Sequence, residues 1–223
     1  MGLITRAKTK TLWGIADADT SQDALIDLLI EQCSARCVTF CGHVLEAQSL
    51  TEYYQGTGNV YLVLRNWPVN SVTSVYEDMS GASGQGPDAF AAETLLTAGT
   101  DYELLKTGSG GAARSGILRR INGVWQRPAS YTPGTISPGL AETGGTIKVT
   151  YNAGFATIPA DLELACLLLM AATKRILGVG ERLASEGWED YNYAVQQAAG
   201  EAFGGLPADT LAVLSRLRNV AVG

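Results

Sequence analysis

The stretch TIKVTYNAGFATIPADLELACLLLMAATKRIL, from Thr146 to Leu177, constrains the fold more than any other part of the chain. Thr146, Ile147, Val149, Thr150 and Tyr151 are β-branched or aromatic, which suits a half-buried strand. Asn152-Ala153-Gly154 breaks that strand, because Asn and Gly tolerate the left-handed backbone of a sharp turn. Ile158 precedes a proline and is pushed out of the helical region, so a new element starts at Pro159. Asp161 and Glu163 place negative charge at the start of that helix, and Lys174 and Arg175 place positive charge near its end. Between them the sequence is apolar nearly all round. A helix of roughly 19 residues, about 28 Å long, is expected from Pro159 to Leu177. One so apolar is expected to be surrounded by protein, as the long central helix of the core and its most buried element. Its uncharged run, Leu164 to Thr173, is about half of the ~20 residues a bilayer demands, so no membrane span is expected.

The rest of the composition narrows the class. At 223 residues, with 46% hydrophobic and 17% charged content, the chain can bury a proper core. Its 26 glycines argue for many turns and long loops. A formal charge of −6 argues against a protein that grips phosphates, which needs a basic face. Met1-Gly2-Leu3-Ile4-Thr5-Arg6 has no long apolar core for a signal peptide, and Arg6 departs from the myristoylation pattern. Cytosolic residence is the simplest expectation.

Read in order, Met1 to Thr11 lacks apolar periodicity and is expected to be a mobile arm, or one that orders only on a partner, with Leu12, Trp13 and Ile15 as a small apolar anchor. Thr20 or Ser21 caps an amphipathic helix from Ser21 to Cys41, whose wet side carries Asp27, Glu31, Gln32 and Arg36. The period then changes. Ser49–Gln55, Val60–Leu64 and Val72–Glu77 read as short strands, the first two as a hairpin across Gly56-Thr57-Gly58. Further strands are expected at Asp101–Lys106 and Ile117–Ile121, with Gly108–Gly116 as a flexible tip between them. Met79–Ala89 and Trp125–Gly145 read as long loops. After the central helix, Trp188 to Ala202 is expected to be a weak helix. Pro207 opens a last one, with Asp209 in its first turn and an apolar stripe of Leu211, Leu214, Leu217 and Val220. The expected fold class is therefore α+β, a helical bundle (N-terminal helix, long central helix, C-terminal helices) with an inserted antiparallel β section. It is expected to form one domain over 1–223, with the N-terminal arm and helix in 1–47. The β section and its long loops fill 48–151, and the central and C-terminal helices fill 152–223.

Chemistry is sparse. Cys33, Cys37 and Cys41 recur every four residues and so share a helix face, but they spread over about 12 Å, too far to close one tetrahedral metal site. They read as small apolar residues at a packed helix interface, and Cys166 as core. His43, the one histidine, reads as a surface or capping residue rather than a general base. Gly108-Ser109-Gly110-Gly111 lacks the following Lys-Ser/Thr of a phosphate loop. Glu181, Glu186, Glu189 and Asp190 could hold a cation, but a solvated loop is the simpler reading. No segment meets the requirements of an active site, so no catalytic residue, metal, cofactor or disulfide is expected.

Five pieces in order carry a resemblance. They are Asp23-Ala24-Leu25-Ile26-Asp27-Leu28-Leu29-Ile30, then the run Leu62 to Val75 with its central Trp67-Pro68-Val69, and then Asp101-Tyr102-Glu103-Leu104. Next comes Ile147 to Phe155 leading to Ile158-Pro159-Ala160-Asp161-Leu162, and last Leu206-Pro207 with its Leu-x-x-Leu and closing arginines. Together they resemble the head–tail connector (portal-adaptor, head-completion) proteins of long-tailed double-stranded DNA bacteriophages. The departures are the long loops at Met79–Ala98 and Arg127–Gly145 and the cysteine-lined first helix.

The resemblance implies a structural, non-enzymatic subunit of the virion neck, made in the host cytoplasm. It implies a ring, usually of twelve, beneath the portal protein, with a tail-side completion or stopper protein below. DNA would slide through the lumen without specific binding, which an acidic balance suits. Leu206 to Gly223 is the candidate portal contact, through Leu211, Leu214 and Leu217 and through Arg216 and Arg218, which suit carboxylates. The competing reading of this helix is packing on its own subunit. Competing readings of the whole chain are another phage tail-completion or assembly module and, less simply, an enzyme or small-molecule binder. Particle mass separates them.

Overall fold

The computed structural model describes residues 2–78, 90–107, 113–127, 145–178, 185–188, 191–194 and 206–218. The chain divides into two compact units, Met1–Glu46 with Thr157–Gly223, and Ala47–Ala156.

Among the described residues, the first unit holds four helices: α1 (Arg6–Trp13), α2 (Asp23–Cys41), α3 (Ala160–Gly178) and α4 (Ala208–Leu217). The N-terminal stretch is a docked helix, not the expected mobile arm. Thr5 caps it by accepting from the Lys8 amide, and Gly14 closes it in the left-handed region. Its ties are mainly polar, which is why apolar periodicity misses it. Arg6 pairs with Asp23 and Asp27 on α2, Lys8 with Glu163 on α3, and Lys10 with Asp23. The apolar anchor is also different. Leu3 and Ile4 are buried, and the Leu3 amide donates to Ser34 Oγ at 3.0 Å, whereas Leu12 is 62% exposed.

The expected helical bundle around one long central helix is not formed. The helices run for 8, 19, 19 and 10 residues, so α3 is no longer than α2, and the described residues also form two three-stranded antiparallel sheets. Nor is α3 buried all round. Leu162, Ala165, Cys166, Leu169 and Met170 face the core, while Leu164 is 53% exposed, Ala171 is exposed, and Leu167 and Leu168 are half-buried. An apolar sequence sets how much surface a helix would hide. It does not set how many neighbours the fold supplies.

The expected helix at Trp188–Ala202 is also overturned at its start. Ser185–Trp188 (β7) and Tyr191–Ala194 (β8) pair as an antiparallel hairpin, with Trp188 opposite Tyr191. Tyr191 and Tyr193, aromatic and alternating, favour a strand over a helix. Residues 195–202 lie outside the described residues, as do Val220 and the expected loops over 79–89 and 128–144.

The second unit is built from the two sheets. In one, β6 (Ile147–Ala153) lies between β1 (Gln48–Tyr54) and β3 (Val69–Glu77). Buried and half-buried residues alternate along β6, with Ile147, Val149, Tyr151 and Ala153 inward, as the period of two requires. In the other, β5 (Ala113–Arg120) lies between β2 (Tyr61–Val63) and β4 (Tyr102–Thr107). The expected hairpin of the first two strands does not form. β1 pairs with β6 and β2 with β5, in different sheets. The connection between them is held instead by Trp125, whose carbonyl accepts from the Gly58 amide at 2.8 Å and whose amide donates to Asn59 O at 2.9 Å. Trp125, expected to open a loop, is fully buried, with Nε1 donating to Leu118 O at 3.4 Å. Gly56 permits this closure, because a Cβ there would collide with the carbonyl of Gln126. The expected tip over Gly108–Gly116 is partly strand, since β5 begins at Ala113 opposite Thr107.

Candidate functional site

The sequence-derived interface residues lie on α4, and the fold treats them unequally. Pro207 precedes the first turn, where Asp209 faces the positive end of the dipole. Leu214 is fully buried, Leu211 and Leu217 are half-buried, and Arg216 and Arg218 are exposed. Thr210 Oγ1 donates to Ala165 O on α3 at 3.2 Å. At the far end, His43 Nε2 lies 2.6 Å from Leu217 O, and its Nδ1 lies 2.9 Å from Val44 O. The single histidine is therefore buried against the open carbonyls of a helix end, a capping place rather than the surface. The Arg218 guanidinium sits 5.6 Å from the centre of the Phe40 ring. Much of the predicted apolar stripe is thus spent on its own unit. The outward remainder is Arg216, Arg218 and parts of Leu211 and Leu217.

The thiols form one buried cluster between α2 and α3. Cys33, Cys37, Cys41 and Cys166 are all free and buried. Cys33 Sγ is 3.9 Å from Thr173 Oγ1, and Ser34 Oγ is 3.8 Å from Cys166 Sγ. A hydrogen bond with Cys166, and burial, push the Cys37 thiol far above its ordinary range. Burial pushes Cys41 up to about 11 and raises Cys33 as well. Held protonated, these three thiols are neither nucleophiles nor metal ligands, while the hydrogen bond with Cys37 lowers the fully buried Cys166.

A polar network that the sequence did not announce lies in the first sheet. Glu52 Oε2 accepts from the Tyr54 hydroxyl and from the Tyr151 hydroxyl at 2.5 Å, and Glu52 Oε1 accepts from Asn66 Nδ2 at 3.0 Å. The Tyr54 oxygen also accepts from the Arg65 amide at 3.0 Å. Burial, aided by the bond to Glu52, raises the Tyr54 hydroxyl far above its usual range and Tyr151 to about 12. The available signal was the alternation of Leu50, Glu52 and Tyr54, which put a carboxylate on the inward face of β1. Both hydroxyls are consumed as donors to that carboxylate. The arrangement ties β1 to β6 and offers no activated nucleophile.

Among the described residues, no group of three or more His, Cys, Asp or Glu side chains could hold a metal ion, and no helix is long and apolar enough to cross a membrane. Of the acidic group considered above, Glu186 falls in β7, while Glu181, Glu189 and Asp190 lie outside the described residues.

The fold has counterparts among solved structures. A chain from the neck of an empty GTA particle computed with C6 symmetry aligns with a TM-score of 0.56 at 17% identity, over 99% of this chain and 92% of that one. One from the neck of a native GTA particle computed with C12 symmetry gives 0.52 at 18% identity, over 97% and 89%. One from the virion of a native gene transfer agent particle gives 0.53 at 19% identity, over 99% and 92%. No family model and no curated protein matches the sequence. The chain therefore shares the fold of these particle proteins along nearly its whole length, in agreement with the resemblance read from its sequence.

Proposed function

We propose that the chain is a structural subunit of a phage-like neck: a head–tail connector that assembles as a ring of twelve under the portal and extends the DNA channel toward the tail. The observation that carries this reading is the shared fold with chains from GTA necks over 97–99% of the chain. Its partners are then further copies of itself, the portal above and a completion or stopper protein below. DNA passes through the lumen without specific contacts, which a net charge of −6 favours by repulsion. Its place is the virion neck, and it acts by shape and docking rather than catalysis. The outward side of α4, with Arg216, Arg218 and the exposed parts of Leu211 and Leu217, is the proposed portal contact.

Electron microscopy of the purified protein, alone and mixed with its portal, tests this. A ring stacked coaxially on the portal is the expected result. A protein that stays monomeric and never joins the portal overturns it.

A further inference from the structure

Resting on the ring reading above, we infer that the outward faces of α3 and α2 are the two halves of the contact between neighbouring copies, α3 of one subunit against α2 of the next.

The packing of the first unit singles out these faces. α3 is enclosed on three sides. α2 meets its buried face through Ser34 and Cys166, α1 flanks it through Lys8–Glu163 and through Trp13 over Lys174 at 4.2 Å, and α4 closes the other flank at Ala165. The fourth side carries Leu164, Leu167, Leu168 and Ala171, positions that form one stripe at helical spacing. Leu164 is 53% exposed, beyond what isolated surface leucines would make notable, because it continues into Leu168 and Ala171. α2 repeats the pattern on its own far side, where Ala24, Leu28 and Ala35 are exposed, with Leu28 at 47% and Leu25 beside it at 36%.

Because α2 and α3 pack through their buried faces, their outward faces point in roughly opposite directions. That geometry selects the occupant. A two-fold contact sets one face on itself and leaves the other bare, whereas a cyclic assembly needs two different faces on each subunit. In a ring of twelve those faces meet their neighbours at about 150° to one another, close to the arrangement here. The faces also offer an opposite-charge pair: the α3 stripe runs from exposed Asp161 to exposed Arg175, and the α2 face carries exposed Glu31, opposite in sign to Arg175.

The test uses Leu164→Glu and Leu28→Glu, each a change at an exposed position, with particle mass measured by native mass spectrometry with and without portal. Wild type is expected to form rings, and each variant alone is expected to stay monomeric with the wild-type circular dichroism spectrum. An equimolar mixture should stop at pairs, because each pair keeps one intact junction and spoils the next. Wild-type rings together with normal rings from either variant, or a mixture that stays monomeric, overturn the assignment of faces while the ring reading stands. Wild type that never assembles removes the ring reading and this inference together. If either Glu variant loses its helical signal, Leu164→Ala and Leu28→Ala replace them. These are expected to raise the half-assembly concentration roughly tenfold, and an unchanged value overturns the inference.

Discussion

The Lys10 ammonium lies 2.5 Å from Asp23 Oδ1, joining the last turn of α1 to the first turn of α2. The lysine is nearly buried, and it also donates to the carbonyls of Asp17 at 3.2 Å and Asp19 at 2.8 Å. One side chain thus gathers the whole connection between the helices. Lys10→Met is expected to free α1, with its amides exchanging hydrogen well before those of α2, while the rest of the unit stays folded. The hydrogen bond from Lys10 holds the Asp23 carboxyl below its ordinary value. A folded-state value lowered in this way contributes stability that is full above the unfolded value of about 3.9 and is lost as pH falls through the folded value. Wild type should therefore lose helix α1 on acidification below about pH 4, and Asp23→Asn should lack that step. Equal acid profiles for the two proteins would count against this role.

The Glu52 network makes the opposite demand at high pH. Tyr54 and Tyr151 are both raised, so their contribution is full below the unfolded tyrosine value of about 10 and is lost as pH rises toward the folded values. The denaturant midpoint is expected to fall between about pH 10 and pH 12, and less steeply in Tyr151→Phe. Parallel curves would show that the hydroxyl plays no such part.

Two adjacent leucines on α3 separate what sequence could give from what it could not. Leu169 is 1% exposed, while Leu168 is half-buried on the outward side. Leu169→Ala is expected to cost about 2–5 kcal/mol, and Leu168→Ala about 1 kcal/mol or less in the monomer. Thermal or denaturant unfolding of the two variants checks the contrast, and equal losses would mean that α3 is covered on all sides.

The same contrast explains what was legible. The Ile147–Ala153 strand, the break after it and the extent of α3 follow from local rules, because β-branched alternation, Asn-Ala-Gly and a proline at the helix start all act within a few residues. The partners of each element did not follow. β1 and β2 are neighbours in sequence with glycines between them, yet each pairs with a strand dozens of residues away, and only the burial of Trp125 shows why. α1 was invisible for another reason: its docking rests on Arg6, Lys8 and Lys10, and charge pairs leave no hydrophobic period. The α4 stripe was readable as apolar, but the division between Leu214 inward and Arg216 outward needed the neighbours His43 and Ala165.

The buried thiols should be quiet. With Cys33, Cys37 and Cys41 raised, and with Cys166 lowered but fully buried, native protein is expected to react with a thiol reagent only at the rate of global unfolding. Replacing the three by Ala should cost only packing, about 1 kcal/mol per site. Stoichiometric zinc that disappears in the triple variant would contradict this.

The last prediction separates the two duties of α4. Leu214 is fully buried, and Cys41 Sγ reaches its carbonyl at 3.9 Å, so Leu214→Ala should behave as a core truncation and cost about 2–5 kcal/mol. Removing everything after Gly205 should be worse, because it also strips Thr210 from Ala165 and Leu217 from His43. Loss of portal binding in such a truncation would therefore say nothing about contact, since the unit itself would be weakened. Arg216 is exposed, and its replacement should leave unfolding within about 0.5 kcal/mol of wild type. Arg216→Glu is the decisive variant: wild-type melting together with at least a tenfold weaker association with portal, about 1.4 kcal/mol, is expected if the outward side of α4 makes that contact. Wild-type melting with undiminished portal binding would leave α4 a packing helix only.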